Sequence, residues 1–431
     1  MKVFKVILIW VTVWSIPFIA LGQNSQNKIN SPYSAYGMGN LKGRNVNIVE
    51  QGMGGLSIGY SNPLYINPNN AASMAVYDSM HFIFETGIKG ELGKLSSLND
   101  SENSSSFTLS YFLMGFPVTK WWGSSLGLLP YSEIGYNIDV SVDMSQYDFG
   151  DIIYNIEGNG RFNQFYWGNG FKITKNLRAG VNASVLFGNP TFSKLIFFPD
   201  SMFILNTRTV KEFHMVDILF DFGLQYDLHL KNNNKITFGV IYQPTLNAST
   251  RREELSKTLS GGYIDVDYDK DTIYYHPETK GDVVIPYRLG GGLTYYKGNL
   301  WMVGADFEFQ KWEDFSVFGI SDSISNSWTA RVGGQFSPKH TVLSPLYKKI
   351  VYRMGAHYGL TYLKLNGHQL NEFGISVGAT FPIRKSRSTF SLAMEYGGRG
   401  TVQYGLLREN FVNFTFGLSI NQLWFVKRRY Q

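Results

Sequence analysis

Large apolar residues and small or polar residues alternate along most of the chain from about residue 78 onward. In NFTFGLSIN (413–421) the even positions are apolar and the odd positions are small or polar. EFGISVGATF (372–381) and TFSLAMEYG (389–397) alternate in the same way. A period of two is typical of a β-strand, whose successive side chains point to opposite faces of the sheet. The alternation therefore predicts strands with one large apolar face and one small, polar face, which suits a narrow or filled barrel lumen.

The same pattern predicts fourteen strands between residues 78 and 425. They lie near 79–90, 104–117, 122–142, 158–174, 176–191, 203–229, 235–250, 282–297, 299–311, 326–338, 349–363, 371–383, 388–398 and 411–425. Several exceed the ~9–11 residues that a tilted strand needs to cross the hydrocarbon of a bilayer. We therefore expect some strands to continue beyond the membrane.

The connections between these strands alternate in length and charge. Those after even-numbered strands are mostly short and carry almost only Lys and Arg, although 338–348 is longer. Those after odd-numbered strands are mostly long, up to 251–281, and carry more Asp and Glu. An up-and-down barrel with both chain ends on one side has this alternation, whereas a soluble β-sandwich has no reason for it. The predicted fold class is all-β, a 14-stranded antiparallel transmembrane β-barrel over residues 78–425.

Composition agrees with this class. The chain has 27 Tyr, 32 Phe, 9 Trp and 45 Gly, yet its mean hydropathy is only −0.13. A barrel hides its apolar residues in alternation, so its average hydropathy resembles that of a soluble protein. The absence of cysteine excludes disulfides and thiolate metal sites. An excess of 39 Lys and Arg over 33 Asp and Glu is too small to favour nucleic acid as a partner.

The first residues predict export. Lys2 and Lys5 precede an apolar run that ends near Leu21, and small residues follow at a cleavage-like site, so residues 1–22 are typical of a signal peptide. The alternative is a membrane anchor, but the run is short and contains Pro17. The other end of the chain, residues 426–431, is expected to be a basic periplasmic tail.

Four segments resemble the FadL/TodX family of outer-membrane transporters for hydrophobic compounds, and more closely its divergent branch in the Bacteroidetes. They are SPYSAYGMGN (31–40), QGMGGLSIG (51–59), INPNNAAS (66–73) and the closing stretch 395–425. The resemblance implies that residues 23–77 form a hatch segment in the barrel lumen. It also implies that hydrophobic molecules leave sideways through a gap at a kinked third strand. The hatch motif would comprise Asn67, Pro68, Asn69 and Asn70, with Asn69 where the family usually has alanine.

Pro130 lies in the middle of the third predicted strand, and Gly135 follows nearby. Proline lacks the N–H that a ladder requires, so it belongs at a bulge or a break. A break in a membrane-facing wall exposes backbone unless a polar group covers it from inside, and the Asn-rich hatch motif is suited to that task. The alternative is a bulge above the membrane with no lateral gate.

Large apolar residues also occur where external loops are predicted. Either these loops pack together as a lid, or they form an external capture site for an apolar ligand. The residues concerned are Leu195, Ile196, Phe197 and Phe198 in one loop and Phe315 and Phe318 in another.

No catalytic arrangement is evident. The seven histidines are scattered over different strands and loops, so we expect no enzyme activity, no metal and no cofactor. The segment DVDYDKD (265–271) is read as a solvated acidic loop; a Ca²⁺ site is the alternative, although the glycine and closing glutamate of an EF-hand are missing.

The expected function is passive transport of hydrophobic, long-chain fatty acid-like molecules through the outer membrane of a Gram-negative cell. Outer-membrane lipid and a hydrophobic ligand would be its partners. The main alternative is a non-transporting FadL-like barrel that acts as a subunit or attachment partner of an envelope secretion or assembly complex; a plain porin-like barrel is the other. A channel predicts an apolar pocket behind 191–202 and 310–325 that opens towards Pro130. A subunit predicts a sealed lumen and an exposed apolar surface for a partner.

Overall fold

Fourteen antiparallel strands close into a barrel, because the first strand pairs with the last. The computed structural model describes residues 31–41, 47–144, 150–199, 204–260, 268–321, 324–339, 341, 343–384 and 386–423. The strands are β1 (His81–Ser96), β2 (Ser101–Pro117), β3 (Trp122–Asp143), β4 (Asp151–Lys172), β5 (Leu177–Gly188 and Thr191–Phe197), β6 (Asn206–His229), β7 (Asn234–Gln243 and Leu246–Ser260), β8 (Tyr268–Ile285 and Arg288–Lys297), β9 (Trp301–Gln310), β10 (Ser327–Phe336), β11 (Val351–Leu365), β12 (His368–Pro382), β13 (Thr389–Gly400) and β14 (Arg408–Leu423). The predicted fold class and strand number are confirmed.

Helical structure in the described residues consists of short pieces of three to six residues. They are α1 (Ile48–Gln51) and the 3-10 turns Pro32–Ala35, Ala71–Val76, Trp312–Asp314, Leu346–Lys348 and Gln403–Gly405. In the described part of the chain, no helix is long and apolar enough to cross a membrane. The predicted signal peptide, residues 424–425 of the last predicted strand and the basic tail lie outside the described residues.

The two faces of the barrel wall have the opposite polarity to those of a soluble protein. On β6, the outward side chains of Phe220, Phe222 and Leu224 are 44 to 49 % exposed, whereas Gln225 and Asp227 on the inner face are 1 and 8 % exposed. The alternation read from the sequence is therefore an alternation between an apolar outer surface and a polar interior.

Prolines mark the irregular points of the wall. β5, β7 and β8 are each interrupted at or beside a proline, namely Pro190, Pro244 and Pro286. A proline has no N–H to donate to a neighbouring strand, but its carbonyl still accepts. The Phe213 N–H donates to the Pro190 carbonyl at 3.0 Å, and the Gln310 side chain donates to the Pro286 carbonyl at 3.1 Å. The interrupted strands therefore continue in the same sheet.

Two of the predicted external loops are largely strand. Residues 191–197 continue β5 between β4 and β6, and most of 251–281 forms the β7–β8 hairpin, in which Leu246 to Ser260 pair with Tyr268 to Ile285. The prediction of loops at these places was wrong. On the hairpin both faces carry polar side chains, as in the contact between Lys257 and Asp269, and residues 195–197 are three consecutive apolar residues. The alternation that identifies strands is therefore lost at both places.

The N-terminal residues run through the interior of the barrel. Residues 31–41 and 47–77, called the luminal segment below, contact inward-facing groups on widely separated strands. The Ser57 N–H donates to Asp306 on β9 at 2.7 Å, and the Gly54 N–H donates to Ser376 on β12 at 2.8 Å. From the other side, Asn182 on β5 donates to the Pro68 carbonyl at 2.7 Å. The wall therefore surrounds this segment.

Candidate functional site

Glycines on the inner face of the wall provide the space for the luminal segment. A Cβ atom added to Gly355 would lie 2.1 Å from the Met53 carbonyl carbon, and one added to Gly180 would lie 2.4 Å from the Ala71 carbonyl carbon. Comparable contacts with the segment occur around the barrel, and we call these residues the glycine ring: Gly115, Gly123, Gly168, Gly170, Gly180, Gly223, Gly239, Gly290, Gly292, Gly304, Gly333, Gly355, Gly378 and Gly417. A side chain would meet the backbone of the segment at Gly123, Gly170, Gly180, Gly239, Gly292, Gly333, Gly355 and Gly378, and a side chain of the segment at the remaining positions. The luminal segment therefore packs against the backbone of the wall strands at these glycines.

Two asparagines of the predicted hatch motif fold the luminal segment onto itself. Asn67 is 2 % exposed; its side-chain oxygen accepts from the N–H groups of Asn69 and Asn70, and its amide donates to the carbonyls of Ser57 and Tyr60 at 2.7 and 3.1 Å. These contacts close a loop between the two halves of the segment. They satisfy buried backbone groups that would otherwise lack partners.

Asn70 has a second role. Its side-chain oxygen accepts from the Ala72 N–H at 3.1 Å and so caps the turn Ala71–Val76. Its amide donates to the carbonyl of Ile58 at 2.8 Å and to that of Leu224 on β6 at 3.4 Å. Asn70 therefore joins the turn, the remainder of the segment and the wall.

A buried carboxyl group lies beside the motif. The Asn69 amide donates to Glu50 at 3.2 Å, while the other carboxyl oxygen of Glu50 has no hydrogen-bond partner in the described part of the chain. Burial raises the pKa of Glu50 well above its usual value of 4.5, and the nearby carboxyl groups of Glu85 and Asp306 raise it further. The structure favours a protonated Glu50.

The wall is incomplete between β2 and β3. Their ladder has six residue pairs, from Phe112 with Leu128 to Pro117 with Gly123. Beyond it β2 follows β1 as far as Ser101, and β3 follows β4 with a register shift between Pro130 and Ser132. Among the described residues, the edges 101–111 and 129–143 are not paired with each other, and we call this opening the β2–β3 gap. Pro130 and Gly135 both lie on its β3 side.

The start of the luminal segment covers the β3 edge of this gap. Asn40 and Leu41 pair with Glu133 and Ser132 as a short antiparallel strand. At Gly135, the carbonyl accepts from the Ser31 N–H at 2.9 Å and the N–H donates to Ser34 Oγ at 3.0 Å. The sequence predicted that the hatch motif covers this edge; the residues that cover it belong instead to SPYSAYGMGN (31–40) and Leu41, a segment that also carries the resemblance to the FadL/TodX family.

The hatch motif also lies near the β3 edge, but a small cavity separates the two. Pro68 and Asn69 face Leu129 and Tyr131, the two neighbours of Pro130, across a small cavity of about 50 Å³. The structure therefore brings the motif and the break into one region. The hydrogen bonds described above that cover the β3 edge come from residues 31–41.

An apolar core occupies part of the lumen near the ends of β9 and β11 that lie away from the short, basic connections. Trp312 and Phe315 are 0 and 1 % exposed, and Tyr33 of the segment is 3 % exposed. The Trp312 ring stacks on Tyr362 with 4.5 Å between ring centroids. These side chains belong to one cluster of buried residues that extends from β3 to β12. We call it the upper core.

The predicted capture residues do not converge on one pocket. Leu195 and Phe197 are 6 and 8 % exposed and pack with Leu259, and Phe315 belongs to the upper core. Phe318 lies elsewhere, with the Arg252 guanidinium 4.8 Å from its ring centroid. The remaining two residues, Ile196 and Phe198, are partly buried.

A cavity of about 220 Å³ remains behind the β2–β3 gap, and its lining combines charged and apolar side chains. It is bounded by Pro130, Ser132 and Leu41 at the gap. Three ion pairs contribute to the lining: Lys89 with Glu91 at 2.9 Å, Arg161 with Glu133 at 3.1 Å, and Arg399 with Glu372 at 3.8 Å. Further polar residues are Arg331, His357 and Glu395, and apolar residues such as Leu109, Leu360 and Phe411 complete it. Apolar ligands favour apolar pockets, so this lining suits water or a polar group better.

The acidic segment 265–271 is described only in part. Asp265 and Asp267 lie outside the described residues, and Asp269 pairs with Lys257 on the hairpin.

Solved structures of similar fold include a FadL homologue and two toluene transporters. A FadL homologue of Pseudomonas aeruginosa superposes with a TM-score of 0.58 at 12% identity, over 89% of this chain and 100% of that one. The toluene transporter TbuX of Ralstonia pickettii gives 0.57 at 12% identity, over 88% and 98%. The toluene transporter TodX of Pseudomonas putida gives 0.56 at 15% identity, over 90% and 100%. At these identities the likeness establishes a FadL-like barrel fold.

Sequence comparison adds the family. A search of curated proteins finds no match to this chain. The family model of BamG matches residues 4–431, nearly the whole sequence. The chain therefore belongs to the BamG family and has a FadL-like barrel fold.

Proposed function

We propose that this protein is an outer-membrane barrel with an occluded lumen that acts as a non-transporting subunit or attachment partner of a larger envelope assembly. The observation that carries the proposal is the filled interior: the luminal segment rests on the glycine ring, and the upper core occupies the space beyond it. The family name BamG states no activity, so the support for this function is the geometry of the barrel interior.

The cavity argues against transport as the main function. Pockets for small hydrophobic ligands have volumes of roughly 300–1,000 Å³ and mostly apolar linings. Here the cavity has only about 220 Å³, and ion pairs form part of its lining. An apolar molecule placed there would remove water from charged groups without replacing its hydrogen bonds.

The outer surface supports a position in a membrane. Apolar side chains cover the outer face of neighbouring strands, as at Val240 on β7 and Leu293 on β8, which are 46 and 45 % exposed. Outer-membrane barrels have an outward-facing apolar band about 25 Å tall. The short, basic connections lie at the end where β1 begins and β14 ends, and we place that end, the turn end, in the periplasm.

Transport of hydrophobic, fatty acid-like molecules is the second candidate, and the β2–β3 gap favours it. Two proteins of similar fold are described as toluene transporters. A lateral exit would require Asn40 and Leu41 to leave the β3 edge and the ion pairs behind it to rearrange. If Pro130 is part of such a gate, its replacement by valine should change the uptake of a hydrophobic substrate.

A reversible disulfide distinguishes the two candidates. The chain has no cysteine, and Leu41 and Ser132 are opposite each other, so the double variant Leu41→Cys, Ser132→Cys can lock the segment onto β3. Each single variant is the control. We expect the oxidised double variant to restore growth of a deletion strain and to co-purify with the same proteins as the unmodified chain in mild detergent.

Two results would favour transport instead. Loss of hydrophobic-substrate uptake on oxidation, restored by reduction, would favour the channel. So would stoichiometric fatty acid in the purified protein with no retained protein partner, measured by mass spectrometry of lipids and proteins.

A further inference from the structure

The connection between β10 and β11 exposes large apolar side chains at the turn end. Leu343 is 95 % exposed, Leu346 59 % and Tyr347 60 %. The loop is nevertheless folded: the Thr341 N–H donates to Ser344 Oγ at 2.9 Å, and residues 346–348 form a 3-10 turn. Water disfavours such a group of side chains, so it is expected to have a partner.

The charge of this β10–β11 loop has one sign. The sequence SPKHTVLSPLYKKI (337–350) contains three lysines and no acidic residue. Lys339 and Lys348 are exposed and flank the apolar side chains on both sides. The neighbouring β8–β9 turn adds Lys297, whose ammonium group lies 5.7 Å from the Trp301 ring centroid. A partner of this surface should therefore carry negative charge next to an apolar region.

The loop lies against the outer side of the wall. Tyr352 on β11 points outward and is 40 % exposed, and its hydroxyl donates to the Tyr347 carbonyl at 3.0 Å. Phe336, at the end of β10 and 47 % exposed, and Trp301, opposite it on β9, are on the same outward face. Aromatic side chains at this level are typical of the boundary between hydrocarbon and headgroups. The apolar residues of the loop are thus close to the edge of the apolar band.

We propose that the β10–β11 loop is an interfacial anchor that binds the anionic glycerophospholipids of the periplasmic leaflet. Leu343, Leu346 and Tyr347 enter the acyl-chain boundary, and Lys339 and Lys348 bind lipid phosphates. This surface fits lipid better than a soluble protein, because the contact with Tyr352 holds it beside the lipid-facing wall. The inference rests on the proposed membrane position of the barrel.

A probe at position 343 tests the insertion. Leu343→Cys is labelled with the environment-sensitive dye NBD, and the protein is placed in nanodiscs of phosphatidylethanolamine and phosphatidylglycerol. Val240→Cys, on the outer face of β7, reports on the apolar band, and Lys231→Cys, exposed in the β6–β7 turn, reports on water. We expect the emission at 343 to be blue-shifted and quenched by lipids with brominated acyl chains, as at 240.

The controls separate the two ways in which this test can fail. If 343 behaves like 231 while 240 behaves as lipid-exposed, the anchor is refuted and the loop is open to a soluble protein. If 240 also reports water, the membrane position itself is refuted.

Lipid selectivity tests the role of the lysines. In native mass spectrometry the unmodified protein should retain phosphatidylglycerol in preference to phosphatidylcholine. The double variant Lys339→Gln, Lys348→Gln should lose about fivefold of that preference for each lysine removed. Lys231→Gln should leave it unchanged. An unchanged preference in the double variant, with an unchanged unfolding midpoint, would overturn the inference.

Discussion

Replacing Gly355 with alanine introduces a methyl group at a place that the luminal segment already occupies. The added Cβ would lie 2.1 Å from the Met53 carbonyl carbon and 2.5 Å from the Gly54 nitrogen. Carbon atoms in contact are ~3.5–4.0 Å apart, so the segment must move by more than ~1 Å. Because the atoms on both sides are backbone, no side-chain rotation relieves the overlap.

The expected cost is that of overpacking a closed interior, about 1–3 kcal/mol. Gly180→Ala should have a similar effect from the opposite part of the segment, since its Cβ would lie 2.4 Å from the Ala71 carbonyl carbon. Gly291 is the matched control: it lies on β8, faces outward, and a Cβ there meets no atom within 4 Å. All three glycines have ordinary backbone angles, so alanine adds no conformational strain at any of them.

The assay combines two measurements on protein folded in detergent. Urea unfolding, followed by tryptophan fluorescence, gives the loss of stability, and limited proteolysis gives the accessibility of residues 31–77. We expect Gly355→Ala and Gly180→Ala to lower the unfolding midpoint and to expose the segment to protease, while Gly291→Ala changes neither. If Gly355→Ala leaves the segment as protected as in the unmodified protein, the segment does not rest on the glycine ring.

Three further substitutions test separate contacts. Glu50→Gln should weaken a pH dependence: because the folded state holds the Glu50 proton at pH values where the unfolded chain has lost it, the stability of the docked segment should fall as pH rises above about 4.5, and proteolysis of the glutamine variant between pH 5 and 8 should show a smaller fall. Asn67→Ala should cost about 2–4 kcal/mol in urea unfolding, because buried carbonyls and N–H groups lose their partners; the exposed Asn99→Ala should cost little. Trp312→Ala should cost about 3–5 kcal/mol through the cavity that it leaves in the upper core, and an equal loss for Trp121→Ala, which is 54 % exposed, would contradict that reasoning.

The strand period in the sequence was sufficient to predict the barrel. Alternation is a local property: whether a residue such as Phe416 faces out or Thr415 faces in depends only on its neighbours along the strand. The charge of the connections distinguished the two ends of the barrel for a similar reason, because the charge of each short turn follows from its own few residues. The pattern failed at 191–197, where residues 195–197 are three consecutive apolar residues and the alternation is lost.

The interior depended on the tertiary structure. Gly355 and Gly291 are both strand glycines in the sequence. Only the packed barrel reveals that a Cβ atom at Gly355 would overlap Met53, whereas one at Gly291 would meet no atom within 4 Å. Likewise Pro130 predicted an irregular strand. Which residues cover the free edge depends on where β2 and β3 separate and on which part of the luminal segment lies at that place. Asn40 and Leu41 fill that place although more than 85 residues separate them from Ser132 and Glu133. The alternation of neighbouring residues determines the strands. Contacts between segments that are distant in the sequence determine what fills the barrel interior.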